Sequence, residues 1–206
     1  MIISELHKFI FAAIPKTGTH AVRRALREHM GPEDAEQVGL FVQRKLPIPD
    51  LARLGHGHLT LAQVRPYLQP EMFKTFFKFA FVRNPFDRFV SYCAFVTRDT
   101  GEFDRDPQAV MRDILADPPS DHILFHPQHS FIADASGELL ADYVGRVEEM
   151  QKSYDEIAAR IGIPTAPLDK VNASNRRDYR DYYDPPVIEG VAKYYARDLE
   201  IFGYEF

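Results

Sequence analysis

Two apolar runs in this chain end at a cationic turn and lead at once into a helical pattern, and this repeated unit constrains the fold most. In the first, "KFIFAAI" at residues 8–14 precedes "PKTGTH", after which apolar side chains recur at helical spacing as far as Met30. In the second, "FFKFAFV" at 76–82 precedes "RNPFDRFVS", where Asn84 suits a helix N-cap and Pro85 the first helical position. Short apolar runs that stop at a breaker are typical of buried strands. The pattern predicts strand, turn and helix twice.

The rest of the chain fits the same architecture. A helix is predicted from Pro107 to about Ala116, a short strand at "ADYVGRV", and a helix ending at Gly162. A last helix carries Val187, Val191 and Tyr195 on one face. We therefore predict an α/β fold, with residues 1–206 forming a single domain around a central, mostly parallel sheet flanked by helices. Such sheets bind ligands at the carboxyl ends of their strands.

Charge and cysteine content narrow the class of protein. The formal net charge of −5 gives no long-range attraction to nucleic acid or to an anionic membrane, so no nucleic-acid partner is expected and any anion site must be local. A single cysteine, Cys93, excludes an internal disulfide and fits a reducing compartment. The first residues lack the features of a signal peptide, and no apolar window reaches the roughly 18 residues of a membrane span. These features predict a soluble, cytoplasmic protein.

The segment "PKTGTH" has the composition of an anion-binding turn. It delivers backbone amides to the start of a helix, where they carry partial positive charge, and Gly18 permits close approach of a ligand. It is not the GxxxxGK[ST] loop of nucleotide triphosphatases, because with Lys16 as the lysine the two glycine positions hold Ile10 and Pro15.

The second strand ends in a cation as well. Arg83 stands where those enzymes place an aspartate that holds Mg²⁺, and Ser91 follows eight residues later. The two turns together predict two anion sites without a metal ion.

Both motifs resemble those of the sulfotransferase superfamily that uses 3′-phosphoadenosine 5′-phosphosulfate (PAPS) as co-substrate. The resemblance implies a P-loop NTPase-like sulfotransferase fold. It implies that the first loop holds the 5′-phosphosulfate through Pro15, Lys16, Thr17, Gly18, Thr19 and His20, although relatives usually carry a hydroxyl residue where His20 stands. It assigns the 3′-phosphate to Arg83 and Ser91. It assigns a loop that closes over the nucleotide to Arg146, Asn172, Ser174, Arg176 and Arg177, for which a solvated polar loop is the alternative.

Three further segments indicate a branch of that superfamily. "RNPFDRFVSY", "YVGRVEEM" and "YYARDLEIFGYEF" look like the carbohydrate sulfotransferases, such as the heparan-sulfate 2-O and chondroitin enzymes. The resemblance therefore implies that a carbohydrate supplies the acceptor hydroxyl.

The segment "GHGH" at 55–58 provides two candidates for a catalytic base. The resemblance nominates His58 first and His56 second, and an attacking alcohol must lose a proton that neutral imidazole can accept near pH 7. A solvated loop and a two-histidine metal pair are the alternatives. A second cluster of histidines, at positions 122, 126 and 129, is either surface or an acceptor contact.

The sequence as a whole predicts a sulfotransferase, in which Lys16 and the loop amides stabilise charge on the leaving phosphate. Two other classes remain open. A non-catalytic protein that binds a nucleotide or a sulfated glycan would retain the loop without turnover, and His20 favours it. A small-molecule kinase would need Mg²⁺, which the missing carboxylate disfavours.

Overall fold

The fold is described from a computed structural model, which covers residues 1–38, 46, 48–168 and 177–206. The described residues group into two compact units. The first comprises Met1–Val82 and Gln128–Val171, and the second Arg83–Pro127 and Asn172–Phe206, as far as these ranges are described. Each has its own hydrophobic core. That residues 1–206 form one domain stays a prediction.

The first unit contains a mixed five-stranded sheet in the order β3-β1-β2-β4-β5. Its strands are β1 (Ile2–Ser4), β2 (Phe9–Ala12), β3 (Ala35–Glu36), β4 (Phe77–Val82) and β5 (Tyr143–Arg146). Strands β2, β4 and β5 are mutually parallel, whereas β1 pairs antiparallel with both β2 and β3. The predicted α/β fold with a central sheet is confirmed, and only β1 runs against the common direction.

The register of the parallel strands brings three chain segments to one edge of the sheet. Ala12 pairs with Ala80, and Val82 pairs with Arg146, so β2, β4 and β5 all end on the same side. The loop after β2 and the turn after β5 therefore leave the sheet together.

The first unit also contains helices. They are α1 (Thr19–Arg27), α2 (Pro49–Ala52), α3 (Leu61–Val64), α4 (Pro70–Thr75) and α8 (Met150–Ile161). The core joins apolar faces of α1 and α8 to the phenylalanines of β2 and β4, namely Val22, Leu26, Tyr154, Ile157, Ile161, Phe9, Phe11, Phe79 and Phe81. Gly145 in β5 has no room for a side chain, because a Cβ there would lie 2.9 Å from Phe81 and Ser153 atoms.

The second unit is helical in its described part. Its helices are α5 (Pro85–Val96), α6 (Glu102–Arg105), α7 (Pro107–Ala116), α9 (Pro185–Tyr194) and α10 (Ala196–Phe202). Asn84, Asp106 and Asp184 each accept a backbone N–H in the first turn of α5, α7 and α9, which satisfies a donor that the helix leaves unpaired. The core is rich in aromatic side chains, including Phe89, Phe125 and Tyr195.

Candidate active site

The loop between β2 and α1 has a backbone built for close approach. Lys16 and Gly18 adopt left-handed conformations with φ of 65° and 68°, and Gly18 is the N-cap of α1. Left-handed backbone is rare for a residue other than glycine and is often found at functional sites, so Lys16 is unusual. Left-handed residues separated by a residue of another conformation direct successive backbone N–H groups toward one concave side of the loop. The first turn of α1 adds its own unpaired amides.

Glycine is favoured at position 18 by its backbone, because its positive φ is unfavourable for any residue with a Cβ. A Cβ there would also meet Met150 Cε at 2.5 Å, a contact that the flexible methionine side chain can relieve by moving. Thr17 is fully buried, and its hydroxyl donates to the carbonyl of Ile14 at 2.9 Å. That hydroxyl proton closes the turn, so Thr17 can offer an anion only its backbone N–H.

The pKa of His20 reflects the positive charges around the loop. The ring is exposed at the start of α1, and its pKa is lowered by partial desolvation and then by the positive charges of Arg23, Arg27, Lys16 and Arg24. α1 carries no acidic residue in its first turn. The loop therefore lies in a locally positive field, although the chain as a whole is acidic.

His58 lies beside this loop. Its Nδ1 is 2.7 Å from the carbonyl oxygen of Ala13, the residue after β2 and two before Pro15. Because a carbonyl only accepts, Nδ1 carries the proton and Nε2 holds the lone pair of the neutral ring. Burial, and then the charge of Arg23, lowers the pKa of His58 to about 3. His58 is thus a neutral imidazole with a fixed tautomer, which a solvated loop histidine would not be.

His56 precedes it and is held differently. The ring centroids of His56 and His58 are 6.3 Å apart, and the His56 carbonyl accepts a hydrogen bond of 3.0 Å from Gln37 Nε2. Arg146, the last residue of β5, lies at the sheet edge from which the β2 loop emerges, with its N–H donated to Ser153 Oγ at 3.1 Å. The first unit thereby brings the loop, His58 and Arg146 to one edge.

The second predicted anion site lies in the second unit, on the first turns of α5. Arg83 donates from both Nε and Nη2 to Asp87 Oδ2 at 2.6 Å, and its side chain is 16% exposed. Ser91 follows Asp87 by one helical turn and so lies on the same face of α5. Arg83 is therefore fixed over the face that carries Ser91, while Asn84 is fixed by bonds from its amide to Tyr179 and Glu205.

The remaining candidates are placed as follows. Asn172, Ser174 and Arg176 lie outside the described residues. In the second unit, His122 Nδ1 is 2.8 Å from Tyr92 Oη.

Among the described residues, no group of three or more histidine, cysteine, aspartate or glutamate side chains is arranged to hold a metal ion. No helix in the described part of the chain is both long and apolar enough to cross a membrane.

Two residues that contact the candidate site were not predicted from the sequence. Arg23, which binds the carbonyl of Gly57, and Asp87, which orients Arg83, are both charged residues on amphipathic helices. Their spacing resembles an ordinary surface stripe. The i, i+4 relation of Arg83 and Asp87 was the available signal for the second.

A left-handed, lysine-bearing turn joins a parallel strand to a helix in this α/β protein, at the strand end where such sheets bind ligands. Within the α/β class, the sequence model described as "Sulfotransferase family" matches residues 1–205, and the chain belongs to this family. No protein with a curated description matches it. A crystal structure of a sulfotransferase from Alicyclobacillus acidocaldarius is similar, with 17% identity over 95% of this chain and 96% of that one and a TM-score of 0.55. At that identity the likeness concerns the fold, and it confirms the predicted sulfotransferase fold.

Proposed function

We propose that the protein transfers a sulfuryl group from PAPS to a hydroxyl acceptor, and that the acceptor is a carbohydrate. The observation that carries the proposal is the left-handed turn at Lys16 and Gly18, with the tautomer-fixed His58 bound to Ala13 beside it. An anion loop and a neutral imidazole are the two parts that sulfuryl transfer to an alcohol requires. The carbohydrate acceptor rests on the resemblance of the "RNPFDRFVSY" and "YVGRVEEM" segments to that branch.

The residues fit the two charged ends of PAPS. The first loop offers Lys16, backbone amides and a glycine with a left-handed backbone, all in a positive field. In the second unit Arg83 is held in a fixed orientation on the Ser91 face of α5, which suits a phosphate recognised by a guanidinium and a hydroxyl. Each end of the donor thus has a matching set of groups in this chain.

In the proposed reaction, the acceptor oxygen forms a new bond to sulfur, and the bond between sulfur and the 5′-phosphate oxygen breaks. The electron pair of that bond stays on the leaving nucleotide, where Lys16 and the loop amides stabilise the charge. The hydroxyl proton passes to Nε2 of His58, whose Nδ1–H remains bonded to Ala13. A bound anion beside the ring raises the pKa of His58 above its value of about 3 in the protein alone, which strengthens the base when the donor is present.

Binding of 3′-phosphoadenosine 5′-phosphate, the desulfated product, tests the nucleotide assignment without turnover. At a hundredfold excess over its Kd it should stabilise the fold by about 2.7 kcal/mol, seen as a higher melting temperature. Adenosine 5′-monophosphate lacks the 3′-phosphate and should bind more weakly, and ATP with Mg²⁺ should have little effect. Stabilisation by ATP with Mg²⁺ that exceeds that by the bisphosphate would contradict the proposal.

The Arg83 assignment is tested by the preference between these ligands. Arg83→Ala should weaken binding of the bisphosphate and leave binding of adenosine 5′-monophosphate nearly unchanged, because only the first carries the 3′-phosphate. Arg98→Ala is a matched control, since Arg98 is a 62% exposed cation of the same unit paired with Asp99. An equal loss for both ligands in Arg83→Ala would remove Arg83 from 3′-phosphate recognition.

A further inference from the structure

Arg23 is a buried cation on α1, the helix that the anion loop opens. It is 3% exposed, and burial of a guanidinium is unfavourable unless its N–H groups are hydrogen-bonded. Its Nη2 lies within hydrogen-bond distance of the Gly57 carbonyl at 3.1 Å and the Gln37 carbonyl at 3.3 Å. The Gly57 carbonyl belongs to the residue immediately before His58. Arg23 therefore connects α1 directly to the segment that carries the proposed base.

Gly57, the second glycine of "GHGH", is the residue that this close contact requires. A Cβ at Gly57 would overlap the backbone oxygen of Gln37 and would lie 2.8 Å from Arg23 Nη2. Because a backbone atom cannot move aside as a flexible side chain can, only glycine lets the segment pack against this site. The packing against Gln37 and Arg23 therefore accounts for the glycine between the two histidines.

Gln37 holds the same segment from its other side. This side chain is 3% exposed, and its Nε2 donates to the His56 carbonyl at 3.0 Å and the Leu51 carbonyl at 2.6 Å. Two consecutive carbonyls before His58 are thus bound by buried donors, and the His58 ring is itself bonded to Ala13. The amino group of Met1 also donates to the carbonyls of Gly57 and Gln37, so Arg23 shares the Gly57 carbonyl with a second buried donor. Arg23 is the donor that comes from the helix of the anion loop.

Arg23 also sets the electrostatic surroundings of His58. The carboxylate of Glu36 is bound by Arg27 at 2.7 and 2.9 Å and lies 3.7 Å from Arg23 Nε, so it neutralises Arg23 only in part. Burial lowers the pKa of Arg23 to about 10, which leaves it charged at neutral pH. The other groups that lower the pKa of His58 are the amino group of Met1 and His56. Arg23 is the charge with the largest effect.

We propose that Arg23 is a positioning residue for His58, which fixes the histidine segment to the helix of the anion loop through the Gly57 carbonyl. This inference rests on the proposed function insofar as His58 is the base. The contact with Gly57 and the charge effect are properties of the protein alone, so they can be tested separately from turnover.

The test follows the pKa of His58 by NMR, together with kcat for sulfuryl transfer and affinity for 3′-phosphoadenosine 5′-phosphate. Arg23→Gln removes the charge and the guanidinium that binds the Gly57 carbonyl, so the pKa of His58 should rise. We expect kcat to fall all the same, because misplacement of the ring outweighs its greater basicity, with nucleotide affinity within about twofold. Arg23→Lys keeps the charge but lacks the planar fork, so it should retain the lowered pKa with kcat still reduced. Arg24→Gln removes a charge from an exposed position of the same helix and is the matched control.

The outcomes separate the inference from the function. An unchanged pKa of His58 in Arg23→Gln, or a pKa that rises equally in Arg24→Gln, would overturn the inference whether or not the protein turns over. So would a loss of nucleotide affinity as large as the loss of kcat. If Arg23→Gln does not fold, Arg23→Lys decides, and wild-type kcat in that variant overturns the positioning role. Absence of transfer in the wild type, with the expected change in the His58 pKa, would refute the proposed function and leave the Arg23–His58 coupling standing.

Discussion

Replacement of His58 by asparagine should change how stability depends on pH. The pKa of His58 is lowered from about 6.5 in an unfolded chain to about 3 in the fold, first by burial and then by Arg23. Below pH 6.5 the unfolded state binds a proton that the folded state does not, so the contribution of this residue is fully present above pH 6.5 and is lost as pH falls toward 3. Between pH 7 and pH 4.5 the loss from this residue is about 2 to 3 kcal/mol.

Asparagine is the sharpest substitution because its side-chain amide can take the place of Nδ1–H as donor to the Ala13 carbonyl. It removes the titrating ring and the Nε2 lone pair while keeping that hydrogen bond. Urea unfolding at pH 7 and pH 4.5 gives the loss of stability in each protein. The loss in His58→Asn should be smaller than in the wild type by the stated amount. Equal losses in the two proteins would refute the reasoning, since every other titrating group is common to both.

Three further predictions follow from the same structure. Gly18→Ala should destabilise the fold by about 1–2 kcal/mol in chemical unfolding and weaken nucleotide binding, because the left-handed φ disfavours a Cβ; unchanged stability would contradict the strained turn. Lys16→Ala should lower kcat by roughly 10²- to 10³-fold with a smaller effect on nucleotide affinity, and a wild-type kcat at saturating PAPS would remove Lys16 from catalysis. Cys93 is fully buried and burial raises its pKa, so a thiol reagent should label it only on unfolding, and labelling of the native protein at the unfolded rate would disagree.

The sequence predicted the elements whose boundaries carry strong local signals. Asn84 and Pro85 begin α5, Asp106 caps α7, and Gly162 ends α8 in a left-handed conformation, as their chemistry leads one to expect. β1 was missed because Ile2–Ser4 is too short for a periodic pattern and is defined by its pairing with β2. Short strands of this kind are fixed by tertiary contacts, which the local sequence does not contain.

In the candidate site, too, the local sequence predicted some features, and contacts between distant residues determine the others. The loop from Pro15 to Gly18 was recognisable because one glycine, one lysine and their neighbouring strand are local in sequence. The contact between His58 and Ala13 joins residues 45 positions apart and could not be derived from local spacing. Nor could the role of Arg23, because a buried arginine on an amphipathic helix has the same spacing as an exposed one.

The most direct test of the account is transfer of radiolabelled sulfate from PAPS to a panel of glycans, small alcohols and lipids, run with and without a metal chelator. We expect label on a glycan, undiminished by the chelator and reduced at least a hundredfold in the Lys16→Ala protein. Label on alcohols or lipids alone would contradict the carbohydrate acceptor. Tight binding of 3′-phosphoadenosine 5′-phosphate with no transfer to any acceptor, or phosphate transfer from ATP with Mg²⁺, would contradict the proposed sulfuryl transfer itself.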